Sequence, residues 1–228
     1  MRRQSKTVTV RGVAIGGGSR VTVQSMTNTD TADRDATLAQ IRALERCGCD
    51  IVRFTVNSAA AVANIPYFLE HTPLPLVADI HFDYKLAIDA AEAGISKIRI
   101  NPGNIGDDDR VRAVARTCAR LGVGITVMKG YAGGRLFDAA ASPFGVALTP
   151  VQCLHYALTR PAVASVMVGV ETVEQLEEAL AYEGATAAER DYASVLAGAP
   201  KHAYMGQCTY CGHCAPCTVG INIALSNK

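Results

Sequence analysis

Four cysteines stand at two-residue gaps near the carboxyl end, as Cys208-x-x-Cys211-x-x-Cys214-x-x-Cys217. Thiolates packed that tightly on one loop can reach the four irons of a cubane, so the spacing points to a 4Fe–4S cluster. Structural zinc sites usually set two Cys-x-x-Cys pairs a dozen or more residues apart, which makes zinc the weaker reading and a metal-free thiol tail the weakest. His213 lies inside the motif, but four sulfurs already complete a ligand set. Cys47, Cys49, Cys118 and Cys153 fall in helix-patterned segments or at their ends and read as small buried hydrophobes. A disulfide scaffold does not suit a chain this rich in core residues with no secretion signal.

A second constellation lies at the ends of β-branched runs. Arg53 follows Asp50-Ile51-Val52, Asp79 and His81 flank Ile80, and Arg99-Ile100-Asn101-Pro102-Gly103-Asn104 closes a further run. Two arginines, a histidine and amides on one face would suit a phosphate or diphosphate, because guanidinium forks match its oxygens. Asp79 would orient His81 or take a substrate hydroxyl. The competing reading is a structural ion pair between Arg53 and Asp79 on neighbouring strands, with Asn101–Asn104 serving only as turn chemistry.

The elements that must hold these groups alternate along the chain. Val21–Met26, Asp50–Val56, Leu76–Ile80, Lys97–Ile100, Gly124–Lys129 and Ala164–Gly169 read as strands, apolar along much of their length as parallel strands are. Asp33–Cys47, Ser58–Glu70, Tyr84–Ala93, Asp107–Leu121, Thr149–Thr159, Thr172–Tyr182 and Ala187–Ala197 read as helices, most opened by capping residues. The alternation gives α/β architecture, either a TIM-type (β/α) barrel or an open doubly wound sheet. Polar strand ends (Gln24, Arg53, Asp79, His81, Asn101, Lys129) favour the barrel, whose active site lies at that face. Six strands against the eight of a closed barrel make it an incomplete or hybrid one. A hairpin of Thr7–Val10 with Val13–Ile15 reads as a plug at the barrel bottom, and 127–143, rich in glycine, as a long loop. Residues 1–197 are thus expected to form the barrel and 198–228 an iron–sulfur tail.

Composition narrows the function. Of 228 residues 49% are hydrophobic and 19% charged, enough apolar residues for a large core. Lys and Arg number 22 against 21 for Asp and Glu, a net charge of +1 that argues against nucleic acid or an anionic membrane as partner. No run of 18 apolar residues exists for a membrane span, and the cytoplasm is the expected location.

Residues 7 to about 120 resemble the first half-barrel of the 4-hydroxy-3-methylbut-2-enyl diphosphate synthase family. The resemblance is carried by Val23-Gln24-Ser25-Met26-Thr27-Asn28-Thr29, Val77-Ala78-Asp79-Ile80-His81-Phe82-Asp83-Tyr84 and Arg99-Ile100-Asn101-Pro102-Gly103-Asn104-Ile105-Gly106. It implies a 4Fe–4S oxidoreductase of non-mevalonate isoprenoid synthesis that reductively opens methylerythritol cyclic diphosphate to hydroxymethylbutenyl diphosphate. It also implies ferredoxin or flavodoxin as electron donor, and Arg53, Asp79, His81, Arg99, Asn101 and Asn104 as substrate-binding positions. A homodimer would be one way to complete the barrel. From about 122 to 228 the chain resembles instead the C-terminal part of an iron–sulfur aldo/keto reductase, through Val127-Met128-Lys129-Gly130-Tyr131-Ala132-Gly133-Gly134-Arg135-Leu136, Ser165-Val166-Met167-Val168-Gly169 and the cysteine tail. A junction near 115–125 would then join two families. The synthase family holds its cluster by three cysteines and a glutamate, whereas four cysteines stand here. The reductases take their catalytic residues from the half that is replaced. An NADP-dependent reductase, or an inactive chimera keeping only a cluster, are therefore the alternatives.

Overall fold

The computed structural model describes residues 5–197 apart from 103 and 107. The four cysteines of the tail motif and Asp107, the first residue of the helix expected over Asp107–Leu121, lie outside the described residues.

The chain opens with an antiparallel hairpin, β1 (Val8–Val10) and β2 (Val13–Ile15). Its two-residue turn holds Arg11 at φ 43° and Gly12 at φ 86°, the left-handed pair whose twist matches that of the strands. The Arg11 guanidinium donates to the carbonyls of Leu69, Thr72 and Leu74 at 3.0–3.4 Å. Those carbonyls precede β5 (Leu76–Ile80), so the hairpin sits at the amino-terminal ends of the strands, where a bottom plug was expected.

With β5, the strands β3 (Gln24–Met26), β4 (Ile51–Thr55), β6 (Lys97–Ile100), β7 (Gly124–Met128) and β8 (Val163–Met167) make one six-stranded sheet in unbroken chain order. The pairings β3–β4, β4–β5 and β5–β6 are parallel. A doubly wound sheet reverses its strand order at a switch point. Unbroken order with right-handed crossovers instead keeps every connecting helix on one face, the topology of a barrel. That settles the choice the sequence left open, with six strands among the described residues.

The connecting helices are α1 (Arg34–Arg46), α2 (Ala59–Ala63), α3 (Ile65–His71), α4 (Tyr84–Glu92), α5 (Asp108–Leu121) and α6 (Pro150–Leu158). The side chains of Asp33, Ser58, Asp83 and Thr149 each accept a first-turn N–H. Alternation along the strands divides the side chains between two faces. Val52, Phe54, Leu76, Ala78, Ile80, Ile98 and Ile100 are buried on the face covered by helices. Phe54 meets Phe68 of α3 edge to face, with ring centroids 5.6 Å apart.

Several boundaries depart from the sequence reading. Val21 and Val23 lie outside β3 and are 70% and 55% exposed. β3 ends the strand order, and the chain before it is tied to Asp50, whose carboxylate accepts the Val23 N–H (2.8 Å) and pairs with Arg20. The helix expected over Ser58–Glu70 is broken in two, because Pro66 has no N–H to continue the ladder. The Asn64 side chain at the break donates to the carbonyls of Thr31 and Ala32. The helix expected over Ala187–Ala197 is likewise divided into α8 (Ala187–Arg190) and α9 (Ala193–Leu196), after α7 (Val173–Leu180) and a 3₁₀ turn at Ala181–Glu183. Asp191 is extended between them, and its carboxylate accepts the N–H groups of Ala193 and Ser194. The glycine-rich loop holds a kinked 3₁₀ segment, Ala132–Phe137.

The described residues divide into two compact units, 5–126 with 160–165, and 127–159 with 166–197. In the first, Thr126 and Ser165 hydroxyls bond across β7 and β8 at 2.9 Å. The second has its own small core of Tyr131, Leu148, Cys153, Leu154 and Ala179. There Thr149 and Gln152 form a reciprocal capping box at the start of α6. Replacing Thr149 with Ala is expected to cost about 1 kcal/mol, read as a lowered denaturant midpoint. Cys49, Cys118 and Cys153 are buried as expected, and burial raises the Cys118 thiol to about 11 and that of Cys153 to about 12. Cys47 departs from expectation: it caps the end of α1 and is exposed. Among the described residues no helix is long and apolar enough to cross a membrane.

Candidate functional site

β4, β5 and β6 carry the candidate residues on the face opposite Phe54. Register places Arg53, Val77 and Lys97 in one row across the three strands, and Thr55, Asp79 and Arg99 in the next row toward the carboxyl ends. Because residues two apart share a face, all six side chains point away from the helix-packed core. A row of this kind in an apolar barrel would hold Val, Ile or Leu. Here charge stands in it.

Asp79 is the centre of the arrangement. It is 1% exposed, and its carboxylate accepts two bonds from the Arg99 fork, at 2.8 Å from Nε and 2.5 Å from Nη2. His81 Nε2 lies 3.4 Å and Arg53 Nε 3.6 Å from the same Oδ2. Burial alone would raise the Asp79 carboxyl, but His81 and Arg99 together hold it below the usual carboxylate range. Arg53 is pushed down by burial and by the neighbouring Arg99, with Asp79 opposing. Two guanidiniums thus face one carboxylate, which leaves excess positive charge in a part-buried place. Such a place favours an anion whose oxygens can take the remaining fork donors.

The structure brings four of the six expected residues into contact: Arg53, Asp79, His81 and Arg99. The alternative of an Arg53–Asp79 ion pair is present at 3.6 Å, but the closer partner of Asp79 is Arg99. Asn101 follows β6 by one residue and is buried, on the same alternation as Arg99. Asn104 is half-buried in the next turn, its N–H donating to the Asn101 carbonyl at 3.0 Å.

Two neighbours were missed by sequence reasoning. Met26 of β3 stands beside Arg53 in register, and its sulfur accepts from Arg53 Nε (3.3 Å) and Nη2 (3.2 Å). Lys97 shares a row with Arg53, and burial followed by Arg53's charge lowers its ammonium below the usual lysine value. Lys97 lies two residues back from Arg99 on the same face, and Met26 stands opposite Arg53 across β3 and β4; both placements need the strand register. Among the described residues no group of three or more His, Cys, Asp or Glu side chains is placed to hold a metal ion.

Comparison with known proteins agrees with this architecture. The chain is 49% identical over 126 residues to a 4-hydroxy-3-methylbut-2-en-1-yl diphosphate synthase (flavodoxin) of Ruminiclostridium cellulolyticum, covering 55% of this chain and 36% of the relative. It is 54% identical over 119 residues to the enzyme of the same name from a Marinomonas species, covering 52% and 32%. The chain therefore spans about a third of the length of these curated relatives. Among solved structures, an aldo-keto reductase from Bacillus halodurans superposes with a TM-score of 0.59 at 14% identity, over 81% of this chain and 74% of that one. At that identity the likeness speaks for the barrel fold alone. The family model for the GcpE TIM-barrel domain matches residues 5–177, running through the junction expected near 115–125. With three-quarters of its length matched in this way, the chain belongs to the GcpE TIM-barrel domain family.

Proposed function

We propose that this chain is the substrate-binding barrel of an iron–sulfur oxidoreductase of isoprenoid precursor synthesis, acting on methylerythritol cyclic diphosphate. The observation that carries the reading is the convergence of Arg53, Arg99 and His81 on the single buried carboxylate of Asp79. Arg53 and Arg99 would hold diphosphate oxygens, His81 would donate a hydrogen bond to them, and Asp79 would fix the Arg99 fork in place. Asn101 and Asn104 would offer amide contacts at the same strand end. The reaction would open the ring reductively and release water, taking two electrons from flavodoxin or ferredoxin and two protons from solvent; the relatives' names carry flavodoxin. A small-molecule substrate, with no nucleic acid or membrane partner, fits a net charge of +1, and a cytoplasmic location belongs to the same reading.

Cys208, Cys211, Cys214 and Cys217 are the residues that would hold a 4Fe–4S cluster, a donor set of four thiolates with the spacing such clusters use. When bound, it would supply electrons to the substrate. The test is anaerobic purification with iron and acid-labile sulfide analysis, then electron paramagnetic resonance with and without the cyclic diphosphate. The reading expects about four irons per chain and, in the reduced protein, a cluster signal that diminishes on adding the diphosphate as electrons pass to it. Iron-free protein, or a spectrum indifferent to that ligand, would contradict it. Replacing any one of the four cysteines with serine is expected to lower the iron content, by the same analysis.

A further inference from the structure

We propose that Lys97 is a further anion-binding residue of this site, set one row deeper than Arg99 and in the row of Arg53, with Val77 between them. The inference rests on the diphosphate reading above and extends it to a residue that neither motif nor resemblance marked.

Lys97 opens β6 and pairs in register with Val77, which pairs on its other side with Arg53. All three stand on the face that carries Asp79 and Arg99, two residues further along their strands. Adjacent rows on one face are about 7 Å apart along the strand. The flexible four-carbon stem of a lysine can cross much of that distance toward the carboxyl ends.

Asp79 is committed to Arg99, His81 and Arg53, and no ion pair of Lys97 is found among the described residues. The charged and titratable groups on this face are Arg53 in the row of Lys97, Asp79 and Arg99 in the next row, and His81 beyond the end of β5. Gln24 and Met26 of β3 and the whole of β7 bring no titratable side chain. A half-buried ammonium sharing a row with a guanidinium, with the carboxylate of the next row already taken, is poised for an incoming anion. Burial first and Arg53 second lower its ammonium in the free protein. A diphosphate reverses both effects by bringing negative charge into the row, so binding draws a proton onto Lys97.

The sign is therefore fixed. Between the lowered value of the free protein and the raised value of the complex, binding takes up a proton, and affinity falls as pH rises through that window. A Lys with a normal, solvated ammonium would show no such uptake until near its reference value of about 10.4.

The test is calorimetric titration of methylerythritol cyclic diphosphate into the full chain, in buffers of differing ionisation enthalpy, across the alkaline range. The unaltered protein is expected to show an apparent enthalpy that varies with the buffer, reporting proton uptake. Lys97→Met should bind about 10-fold or more weakly, the size of one lost charged hydrogen bond, and take up no proton. Lys97→Arg, which keeps its charge throughout, should restore most of the affinity but not the proton uptake, a pattern that a merely structural role would not give. If the unaltered chain binds but Lys97→Met matches it in affinity and proton uptake, the role of Lys97 is overturned and the anion site stands. If the unaltered chain releases no heat, the anion site itself fails and Lys97 with it.

Discussion

Changing Asp79 to Asn is expected to lower the unfolding free energy by about 3–5 kcal/mol, the usual cost of removing one partner from a buried ion pair. The side chain keeps its shape but loses its charge, so Arg99, Arg53 and His81 are left converging on a neutral amide. Urea unfolding reads the loss. Because the missing element is an anion, inorganic diphosphate should restore part of it. A ligand at a hundred times its dissociation constant adds about 2.7 kcal/mol to the folded state. The pH dependence follows from the same contacts. The Asp79 carboxyl is held below its unfolded value, so its stabilising contribution is complete above about pH 4 and is lost as pH falls through the lowered folded value. The Asp79→Asn protein should therefore show a flatter acid limb than the unaltered chain. A variant as stable as the parent, with an unchanged acid limb, would mean that the carboxylate carries no such burden.

Phe54→Ala is expected to cost a similar amount, about 3–5 kcal/mol, for a different reason. Phe54 and Phe68 are both fully buried and pack edge to face, so truncation leaves a cavity between β4 and α3. The neighbours on the chain are Arg53 and Thr55, which point the other way. This loss should not respond to diphosphate beyond the increment that any bound ligand gives the parent, and it should leave the acid limb in place. The two variants together separate apolar packing on one face of β4 from the balance of charge on the other.

Much of this architecture was legible in the chain. Each strand of the large sheet was located within a few residues, since parallel strands covered by helices announce themselves as short β-branched runs. Their order was not legible, because periodicity does not say which strands pair. Barrel and doubly wound sheet therefore stayed open until the registers of β3 to β6 were known. The breaks at Asn64–Pro66 and at Asp191 were written in the residues but masked by continuous helical patterning on either side. In the site, Arg53, Asp79, His81 and Arg99 were found as polar residues interrupting apolar strands. Their pairing was not, for the choice of Arg99 over Arg53 as the closer partner of Asp79 depends on a lateral register: Asp79 stands directly opposite Arg99 and one row beyond Arg53. Lys97 was passed over because a lysine at the first position of a strand ordinarily reaches solvent, and only the row shared with Arg53 places it inside.

The cationic strand ends are the heart of the account, and a direct titration examines them. Methylerythritol cyclic diphosphate titrated into the chain should release heat that saturates, with binding weakened by added salt as expected for a charge-driven site. Arg53→Met should bind about 10- to 100-fold more weakly, the loss of one or two charged hydrogen bonds. Saturable binding that is indifferent to Arg53, or no binding at all, would contradict the account.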